Sequence, residues 1–432
     1  MIEIFVEQIS DRMIYTFDFI LKDNGIDYVL TNDYRTFQDS NRKRFNYSER
    51  HFDEVAQLTP ADLLFEEQIK KQAISKSTFG KEECLAFNKV TDPFASVFYL
   101  LSRMEEYGEI LTDSHERFPA NKSIQFQFGW LKQLMCERWT VEIFEFLNEQ
   151  GVTVIKYKPR PSKIIPTFDI DNTYAYKLKD GSRKLLSKVL DFSKGNKARI
   201  EERKQVLAGE LKDPYDTFDQ ILAIEKRGFD VKLFWLLGNY GNFDRNIRFS
   251  NEEHQKLIKK MSKTCKIGIH PSYKSNSSNE SLSKEITRLS EVLVHQVQCS
   301  RQHFLKVRMP ETYIQLLKND VTDDYTMGYP SEIGFRTGTS RPYFWYDLQK
   351  NYKTDLILHP FAYMDGTLLE YKNWSISEAK EKIDELYQEF KQFGGEFIFL
   401  WHNETIGDYG KWRGWSEVLE FTLQLDVENG NQ

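Results

Sequence analysis

Residues from about 160 onwards alternate between short apolar runs and longer amphipathic ones. The apolar runs are KIIPTF, VKLFWLL, KIGIH, DLILHPF and EFIFLWH, and helical patterns separate them, as in 215–228 and 375–395. Strands that are apolar throughout are typical of parallel sheets, because the connecting helices cover both faces. The alternation predicts an α/β fold, with a closed or nearly closed (β/α) barrel as the first interpretation and an open doubly wound sheet as the second.

The part before residue 160 has a different pattern, which indicates separate units. Residues 1–90 mix short strand-like pieces with polar connections and predict a small N-terminal α/β domain. Residues 91–160 hold two helical runs and a proline-containing linker, and predict a helical connecting region. The barrel pattern occupies residues 161–432. His51 is the only histidine in the first 90 residues, so no catalytic cluster is expected there.

Composition excludes several classes of protein. The chain has 59 Lys+Arg against 65 Asp+Glu, a net charge of -6, which gives no electrostatic reason to expect a nucleic-acid partner. Its four cysteines lie far apart without a Cys-x-x-Cys pair, which argues against a disulfide framework and a cysteine zinc site. No run of 18 apolar residues and no basic leader is present. We therefore expect a cytoplasmic protein without a transmembrane segment.

Charged side chains gather where the predicted strands end. The stretch IIPTFDIDNTYAY puts Asp169 and Asp171 at the end of the first strand. Two carboxylates this close repel each other unless a positive partner lies between them or one of them holds a proton. Catalytic residues of β/α barrels lie at the carboxyl ends of the strands. Three of the eight histidines fall at such positions, namely His270, His303 and His402. Carboxylate and imidazole together suit zinc or a similar divalent ion.

These strand ends, in this order, resemble the motifs of the polysaccharide deacetylase superfamily, the carbohydrate esterases that remove acetyl groups from chitin, peptidoglycan and related sugars. TFDID resembles the first motif, GIHP the second and FLWHN the last. The whole chain is similar to a bacterial subgroup with an extra N-terminal domain. The resemblance implies a distorted (β/α) barrel and a metal-dependent hydrolase, with zinc as the metal and a carbohydrate as the substrate.

The resemblance also implies roles for single residues. Asp169 would be the general base, and His402 would be the general acid. Arg301 would orient the base and keep it ionised, with Arg308 in RMP as a competing alignment. Asp171 and His270 would be metal ligands.

One position departs from the family pattern. Lys274 stands where the second motif has its second histidine, and a protonated ammonium cannot bind a metal. His303 could supply the missing imidazole, which would give a site of Asp171, His270 and His303. Otherwise the protein would be a catalytically degenerate member that binds sugar or a protein partner.

Further candidates near the predicted rim are weaker. Four residues are expected to contact substrate: Arg336, Tyr273, Trp401 and Asn403. For Arg336, a structural role that ties loops together is an equal alternative. His359 and Asp365 also lie near a strand end, where either could reach the cleft, but a core or capping role is the preferred expectation for both.

Overall fold

The computed structural model of the chain describes residues 1–108, 111–179 and 197–425. Its N-terminal strands are β1 (Ile2–Phe5), β2 (Tyr28–Thr31), β3 (Lys43–Asn46), β4 (Ala56–Gln57), β5 (Ile74–Phe79), β6 (Glu82–Phe87) and β7 (Val90–Thr91). They form a parallel sheet in the order β2-β1-β3-β4 and an antiparallel sheet in the order β5-β6-β7. The helices of this part are α1 (Asp11–Ile20), α2 (Tyr34–Gln38), α3 (Pro93–Ser102), α4 (Ile124–Phe128) and α5 (Met135–Glu149).

The rest of the chain alternates between strands and helices. The strands are β8 (Ser162–Ile170), β9 (Lys232–Trp235), β10 (Lys266–Ile269), β11 (Cys299–Ser300), β12 (Asp323–Asp324), β13 (Tyr343–Asp347), β14 (Tyr352–Leu358), β15 (Phe361–Met364) and β16 (Gly395–His402). The helices are α6 (Lys197–Ala208), α7 (Phe218–Glu225), α8 (Glu252–Met261), α9 (Asn279–Leu293), α10 (Glu311–Lys318), α11 (Ile376–Phe393) and α12 (Ser416–Gln424). No helix in the described ranges has both the length and the apolar character needed to cross a membrane.

These nine strands form one sheet in the order β13-β14-β12-β11-β10-β9-β8-β16-β15. Strands β14 and β15 follow each other along the chain, but β14 pairs with β12 and β15 pairs with β16, at opposite ends of this order. The three backbone steps from Leu358 to Phe361 span at most about 11 Å. The sheet therefore has to curl until its two ends meet, and the fold is the expected distorted (β/α) barrel with a smaller N-terminal α/β part.

The sequence determines these elements through burial and capping. Strand β8 is buried at every position from Ile164 to Ile170, which explains its continuous apolar run. Helix α11 begins at a capping box, in which Ser375 and Glu378 each accept a hydrogen bond from the other's backbone N–H. It ends at Gly394, where φ is 71° and a Cβ atom would lie 1.9 Å from the carbonyl oxygen of Arg160. Only glycine fits that turn into β16.

Buried ion pairs join the N-terminal part to the barrel. Arg103 donates hydrogen bonds to Glu106 at 2.8 Å and to the backbone carbonyl of Arg336 at 2.6 Å. The Arg336 guanidinium binds both carboxylate oxygens of Glu106, at 3.0 and 2.6 Å. Helix α3 packs against α1, β6 and β13. The predicted division of the chain at residues 90 and 160 stays a prediction.

His359 lies at the junction between β14 and β15, where the barrel closes. Its Nδ1 is 2.8 Å from Glu396 Oε2 on β16, and its Nε2 is 2.9 Å from Asp323 Oδ1 on β12. Its ring stacks on Tyr325 with centroids 4.3 Å apart. Burial lowers the pKa of His359, but the hydrogen bonds and charges of Asp323 and Glu396 outweigh it and raise the pKa above its usual value. The expected core role of this residue is thus a polar bridge between strands.

Replacing His359 should weaken the closure of the barrel. His359→Phe keeps an aromatic ring on Tyr325 but removes both hydrogen bonds, so the free energy of unfolding should fall by about 2 kcal/mol. A raised pKa in the folded state stabilises the protein below the unfolded pKa, and this contribution is lost as the pH rises through the folded pKa. The difference between parent and variant, measured by urea denaturation, should therefore be largest near about pH 6 and shrink at higher pH.

The exposed histidine His51 provides the control, because His51→Phe should change the unfolding free energy by less than about 0.5 kcal/mol. Equal stability of His359→Phe and the parent across this pH range would contradict the role of His359 as a bridge.

Candidate metal centre

Three side chains from three strand ends converge at the carboxyl rim of the barrel. Asp171 follows β8, His270 follows β10 and His303 follows β11. The Nε2 atom of His270 lies 3.1 Å from Asp171 Oδ1, and the Nε2 atom of His303 lies 3.3 Å from Asp171 Oδ2. Each of the three residues offers one potential ligand atom, and these three atoms all lie within 4.8 Å of one another. The structure thus brings together the three residues predicted as ligands.

The outer nitrogen of each imidazole is already engaged. His270 Nδ1 lies 2.6 Å from the backbone carbonyl oxygen of Arg301, and His303 Nδ1 lies 2.9 Å from Asp244 Oδ1. A carbonyl or a carboxylate only accepts, so each Nδ1 carries a hydrogen and each Nε2 is the nitrogen that faces Asp171. Metal-binding histidines are oriented by such outer partners. Two imidazole nitrogens and one carboxylate oxygen fit a zinc site that leaves a coordination position open.

The pKa shifts of Asp171 and His303 show that a positive charge next to Asp171 is favoured. Burial alone raises the pKa of Asp171, but His303 and His270 outweigh it and hold the pKa well below its usual range. Burial lowers the pKa of His303, yet the charges and hydrogen bonds of Asp171 and Asp244 raise it to about 9. The surroundings of Asp171 therefore favour a positive charge on the neighbouring His303.

The backbone turn that directly follows His303 is strained, and it orients the His303 side chain towards the centre. Phe304 and Leu305 both have left-handed backbones, with φ of 60° and 54°. Such a conformation costs a residue with a side chain about 1–2 kcal/mol. The backbone N–H of His303 donates to the carbonyl of Pro271 at 3.1 Å, next to His270. Lys274 is exposed to solvent, so its ammonium does not occupy the centre.

Asp169 lies beside the three residues and is held by Arg301. Arg301 Nη1 donates to Asp169 Oδ1 at 3.0 Å and is also 2.8 Å from the Thr167 hydroxyl. Its Nε donates to the Tyr325 carbonyl at 2.9 Å. The second oxygen, Asp169 Oδ2, lies 3.7 Å from His270 Nε2 and so faces the centre. Arg301 thus occupies the position expected of the orienting arginine.

The competing arginine lies elsewhere. Arg308 donates to the side-chain oxygen and to the backbone carbonyl of Asn276, at 3.0 and 2.6 Å. Its guanidinium is therefore engaged by the loop that follows β10, and Arg301 is the arginine that pairs with Asp169.

His402 reaches the centre from the opposite side. Its Nδ1 lies 2.9 Å from Asp365 Oδ1, and its Nε2 lies 3.8 Å from Asp171 Oδ2. Asp365 is fixed in turn by the hydroxyl of Thr405 and the backbone N–H of Gly366, each at 2.6 Å. Burial lowers the pKa of His402, but Asp365 outweighs it and raises the pKa well above its usual value. The carboxylate of Asp365 therefore favours the protonated form of the imidazole.

One cleft of about 220 Å³ is lined by Asp169, Asp171, His270, His303, Asp365 and His402. Besides the residues already described, its wall includes Arg117, Phe304, Met364, Tyr371, Glu404 and Trp412. Burial, together with the charge of Asp171, raises the pKa of Glu404 to about 7. The cleft thus combines a charged floor with apolar and aromatic sides.

The described lining of the cleft includes none of the four side chains predicted to contact substrate. Arg336 is buried against Glu106 in the contact with the N-terminal part. Trp401 is fully buried in β16, next to the inward-facing His402. The Asn403 amide donates to the carbonyls of Asn172 and Tyr215, at 3.1 and 2.9 Å. These three side chains thus serve packing and internal hydrogen bonding.

Tyr273, the fourth, is half-buried and packs on Phe243 with ring centroids 4.4 Å apart. Its backbone N–H donates to Asp244 at 2.8 Å, so it lies close to the partner of His303. A direct role in substrate binding stays a prediction for this residue.

Two residues around the centre, Asp244 and Arg117, were not found from the sequence, and a third, Asp365, was expected to have a core or capping role. Asp365 directly follows β15, so the rule that barrel chemistry follows strand ends could have identified it instead of a core or capping role. Asp244 lies in a long loop after β9, and Arg117 lies in the N-terminal part. Neither has a spacing or a neighbouring motif that points to the centre, because both reach it only through tertiary packing.

Comparison with known proteins adds the following. The sequence model of a family of unknown function, DUF7033, matches residues 2–152. No curated protein matches the chain. Solved structures similar to the chain include polysaccharide deacetylases. A protein assigned as a polysaccharide deacetylase from Mycobacterium smegmatis is 14% identical, with 65% of this chain and 88% of that chain covered and a TM-score of 0.40.

Two further structures belong to carbohydrate esterase family 4. One is an esterase from Streptomyces lividans in complex with acetate, which is 9% identical, with 62% of this chain and 90% of that chain covered and a TM-score of 0.30. The other is a pseudoenzyme from Bacillus anthracis, which is 11% identical, with 65% and 67% covered and a TM-score of 0.31. The chemistry proposed for the present chain rests on the geometry of its own centre.

Substitutions should identify His303, rather than Lys274, as the third ligand. Loss of an outer hydrogen-bond partner of a metal ligand lowers metal affinity by ~10–100-fold. Asp244→Asn should therefore lower the affinity for Zn²⁺ by an amount in that range, and His303→Gln should lower it by at least as much. Lys274→Gln should bind Zn²⁺ like the parent, because Lys274 is exposed. Competition with a chromophoric chelator measures all four affinities. Since His303 is protonated below a pKa of about 9, binding at neutral pH should also release a proton.

The opposite ranking, in which Lys274→Gln weakens Zn²⁺ binding and His303→Gln does not, would contradict this assignment of the ligands.

Proposed function

We propose that the protein is a metal-dependent hydrolase that removes acetyl groups from a carbohydrate. The observation that carries the proposal is the convergence of three potential ligands, Asp171, His270 and His303, between a carboxylate held by arginine and an imidazole held by aspartate. This arrangement agrees with the motif resemblance of TFDID, GIHP and FLWHN. A cytoplasmic location is part of the proposal.

A zinc ion bound by these three residues would supply Lewis-acid activation of a water molecule and of the acetyl carbonyl. Asp169 is the general base of the proposal, because Arg301 holds one of its oxygens and leaves the other facing the centre, 3.7 Å from His270 Nε2. A carboxylate in that position accepts the proton of the attacking water.

His402 is the general acid of the proposal. Asp365 raises its pKa against the effect of burial, so the imidazole holds a proton at neutral pH, and its Nε2 faces the cleft. Hydrolysis of an acetamide, or of an acetate ester of a sugar hydroxyl, needs a proton on the departing nitrogen or oxygen. Asp365 stabilises the imidazolium before this transfer and fixes its direction.

The size of the cleft limits what can enter it. Its volume of about 220 Å³ is below the ~300–1,000 Å³ typical of pockets that enclose a whole ligand. An acetyl group and the adjoining part of a sugar ring suit this volume, and the rest of the carbohydrate would lie outside. Tyr371, which is 48% exposed at the cleft wall, provides an aromatic surface at that entrance.

Two substitutions at the end of β8 should separate the base from the ligand. Asp169→Asn should keep bound zinc and reduce turnover by roughly 10²–10⁴, the usual contribution of a general base. Asp171→Asn should lower zinc affinity, and its activity should partly return at high zinc concentration. Zinc content by elemental analysis is measured beside deacetylation of an N-acetylated oligosaccharide.

If Asp169→Asn loses zinc while Asp171→Asn retains it, the two roles are reversed. If the parent itself binds no zinc, the metalloenzyme proposal fails, and binding of sugar by a non-catalytic protein takes its place.

The loss of turnover on replacing His402 should depend on whether the leaving group of the substrate needs a proton. His402→Ala should retain zinc and lose most of its turnover on an N-acetylated sugar, because the amine needs a proton to depart. The loss should be much smaller for 4-nitrophenyl acetate, whose phenolate leaves without protonation. Steady-state kinetics on both substrates give this comparison, and equal losses on both would exclude His402 as the general acid.

A further inference from the structure

A short turn from the N-terminal part, residues 113–117, lies against the loop that carries His303. We call these residues the clamp segment. Asp113 organises the turn, because Oδ1 accepts the backbone N–H groups of His115 and Arg117 at 2.9 and 3.0 Å. Its Oδ2 accepts Arg117 Nε at 2.7 Å. The Arg117 side chain is therefore fixed by its own turn before it meets the barrel.

Three consecutive residues of the clamp segment contact the residues that follow His303. Arg117 Nη1 donates to the backbone carbonyl of Phe304 at 2.9 Å. The His115 ring lies 4.7 Å from the Phe304 ring, and Glu116 Oε2 lies 2.8 Å from Lys306 Nζ. The contacts thus combine a hydrogen bond to the backbone, a ring contact and an ion pair.

Phe304 transmits these contacts to the candidate metal centre. Its ring packs on the His303 ring with centroids 4.6 Å apart. Phe304 and Leu305 also have the left-handed backbone that residues with side chains disfavour, so contacts outside the loop have to hold it. Arg117 is only 6% exposed and lines the cleft, where its Nη2 lies 3.4 Å from the Tyr371 hydroxyl.

We propose that the clamp segment is a positioning element of the metal centre: by fixing Phe304, Arg117 and His115 set the orientation of His303. Arg117 is thus a positioning residue supplied by the N-terminal part, and the barrel does not complete its third ligand alone. The inference rests on the metal-dependent function proposed above and assigns to the N-terminal part a place in that function.

Arg117→Ala tests the proposal through two measurements that do not depend on turnover. The affinity for Zn²⁺, measured by chelator competition, should fall by about tenfold, the lower end of the effect of losing an outer partner. Amide hydrogen exchange in peptides that contain residues 303–306 should become faster, because the Phe304 carbonyl loses its donor. Added guanidinium ion, at concentrations too low to unfold the parent, should restore both values in part.

Arg138→Ala is the matched control. Arg138 also joins the N-terminal part to the barrel, through Glu389 at 2.6 Å, but it lies on α5 outside the cleft lining. This variant should lose stability and keep both the Zn²⁺ affinity and the exchange rate of residues 303–306. Arg117→Lys, which keeps the charge next to Asp113, serves as the second variant if Arg117→Ala does not fold, and it should lower the affinity and raise the exchange rate in the same direction.

The outcomes separate this inference from the proposed function. Unchanged Zn²⁺ affinity and unchanged exchange in a folded Arg117 variant overturn the clamp, as does an equal change in Arg138→Ala. If both readouts respond at Arg117 alone while the parent deacetylates no carbohydrate, the clamp stands and the proposed reaction fails. If the parent binds no Zn²⁺, the role of the clamp at a metal centre is overturned together with that centre.

Discussion

Two carboxylates end one buried strand, and the repulsion between Asp169 and Asp171 is the constraint on which the rest of the centre depends. The negative charge of Asp169 is balanced by Arg301, and that of Asp171 is balanced by the two imidazoles of His270 and His303. Arg301 takes part in both arrangements, since its side chain donates a hydrogen bond to Asp169 while its backbone carbonyl accepts a hydrogen bond from His270. A displacement of this one residue would disturb the proposed base and a proposed ligand together. Arg301 therefore links the positions of Asp169 and His270.

The closure of the barrel builds the other half of the site. Because β15 pairs with β16, with Met364 opposite Leu400, the residues that follow the two strands become neighbours. Asp365 thus reaches the imidazole of His402, and the position of the carboxylate that holds this imidazole follows directly from the strand pairing. The same continuous segment begins as β14 beside β12. One chain segment therefore closes the sheet and supplies a residue of the site.

Much of the centre could be predicted from the sequence, because four of its residues each end an apolar strand: Asp169, Asp171, His270 and His402. The (β/α) architecture was predictable for the same reason, since burial on both faces leaves continuous apolar runs. Residues that act through loops left no such signal. Asp244 and Arg117 are far from His303 in sequence, and only packing brings them near it. Arg336 shows the converse, because a polar residue in a glycine-rich loop forms a buried ion pair with Glu106 instead of lining the cleft.

The pairing of β8 with β16 has a consequence for how the chain folds during synthesis. Ser162 lies opposite Gly395, so nearly the entire barrel sequence separates two strands that are adjacent in the sheet. Contacts between such distant segments form slowly, because a long loop has to close first. Until β16 leaves the ribosome, β8 presents an unpaired edge of buried, apolar character, the kind of edge that pairs with other chains. Strand β16, which comes last among the strands of the described ranges, therefore both delivers His402 and covers this edge of β8.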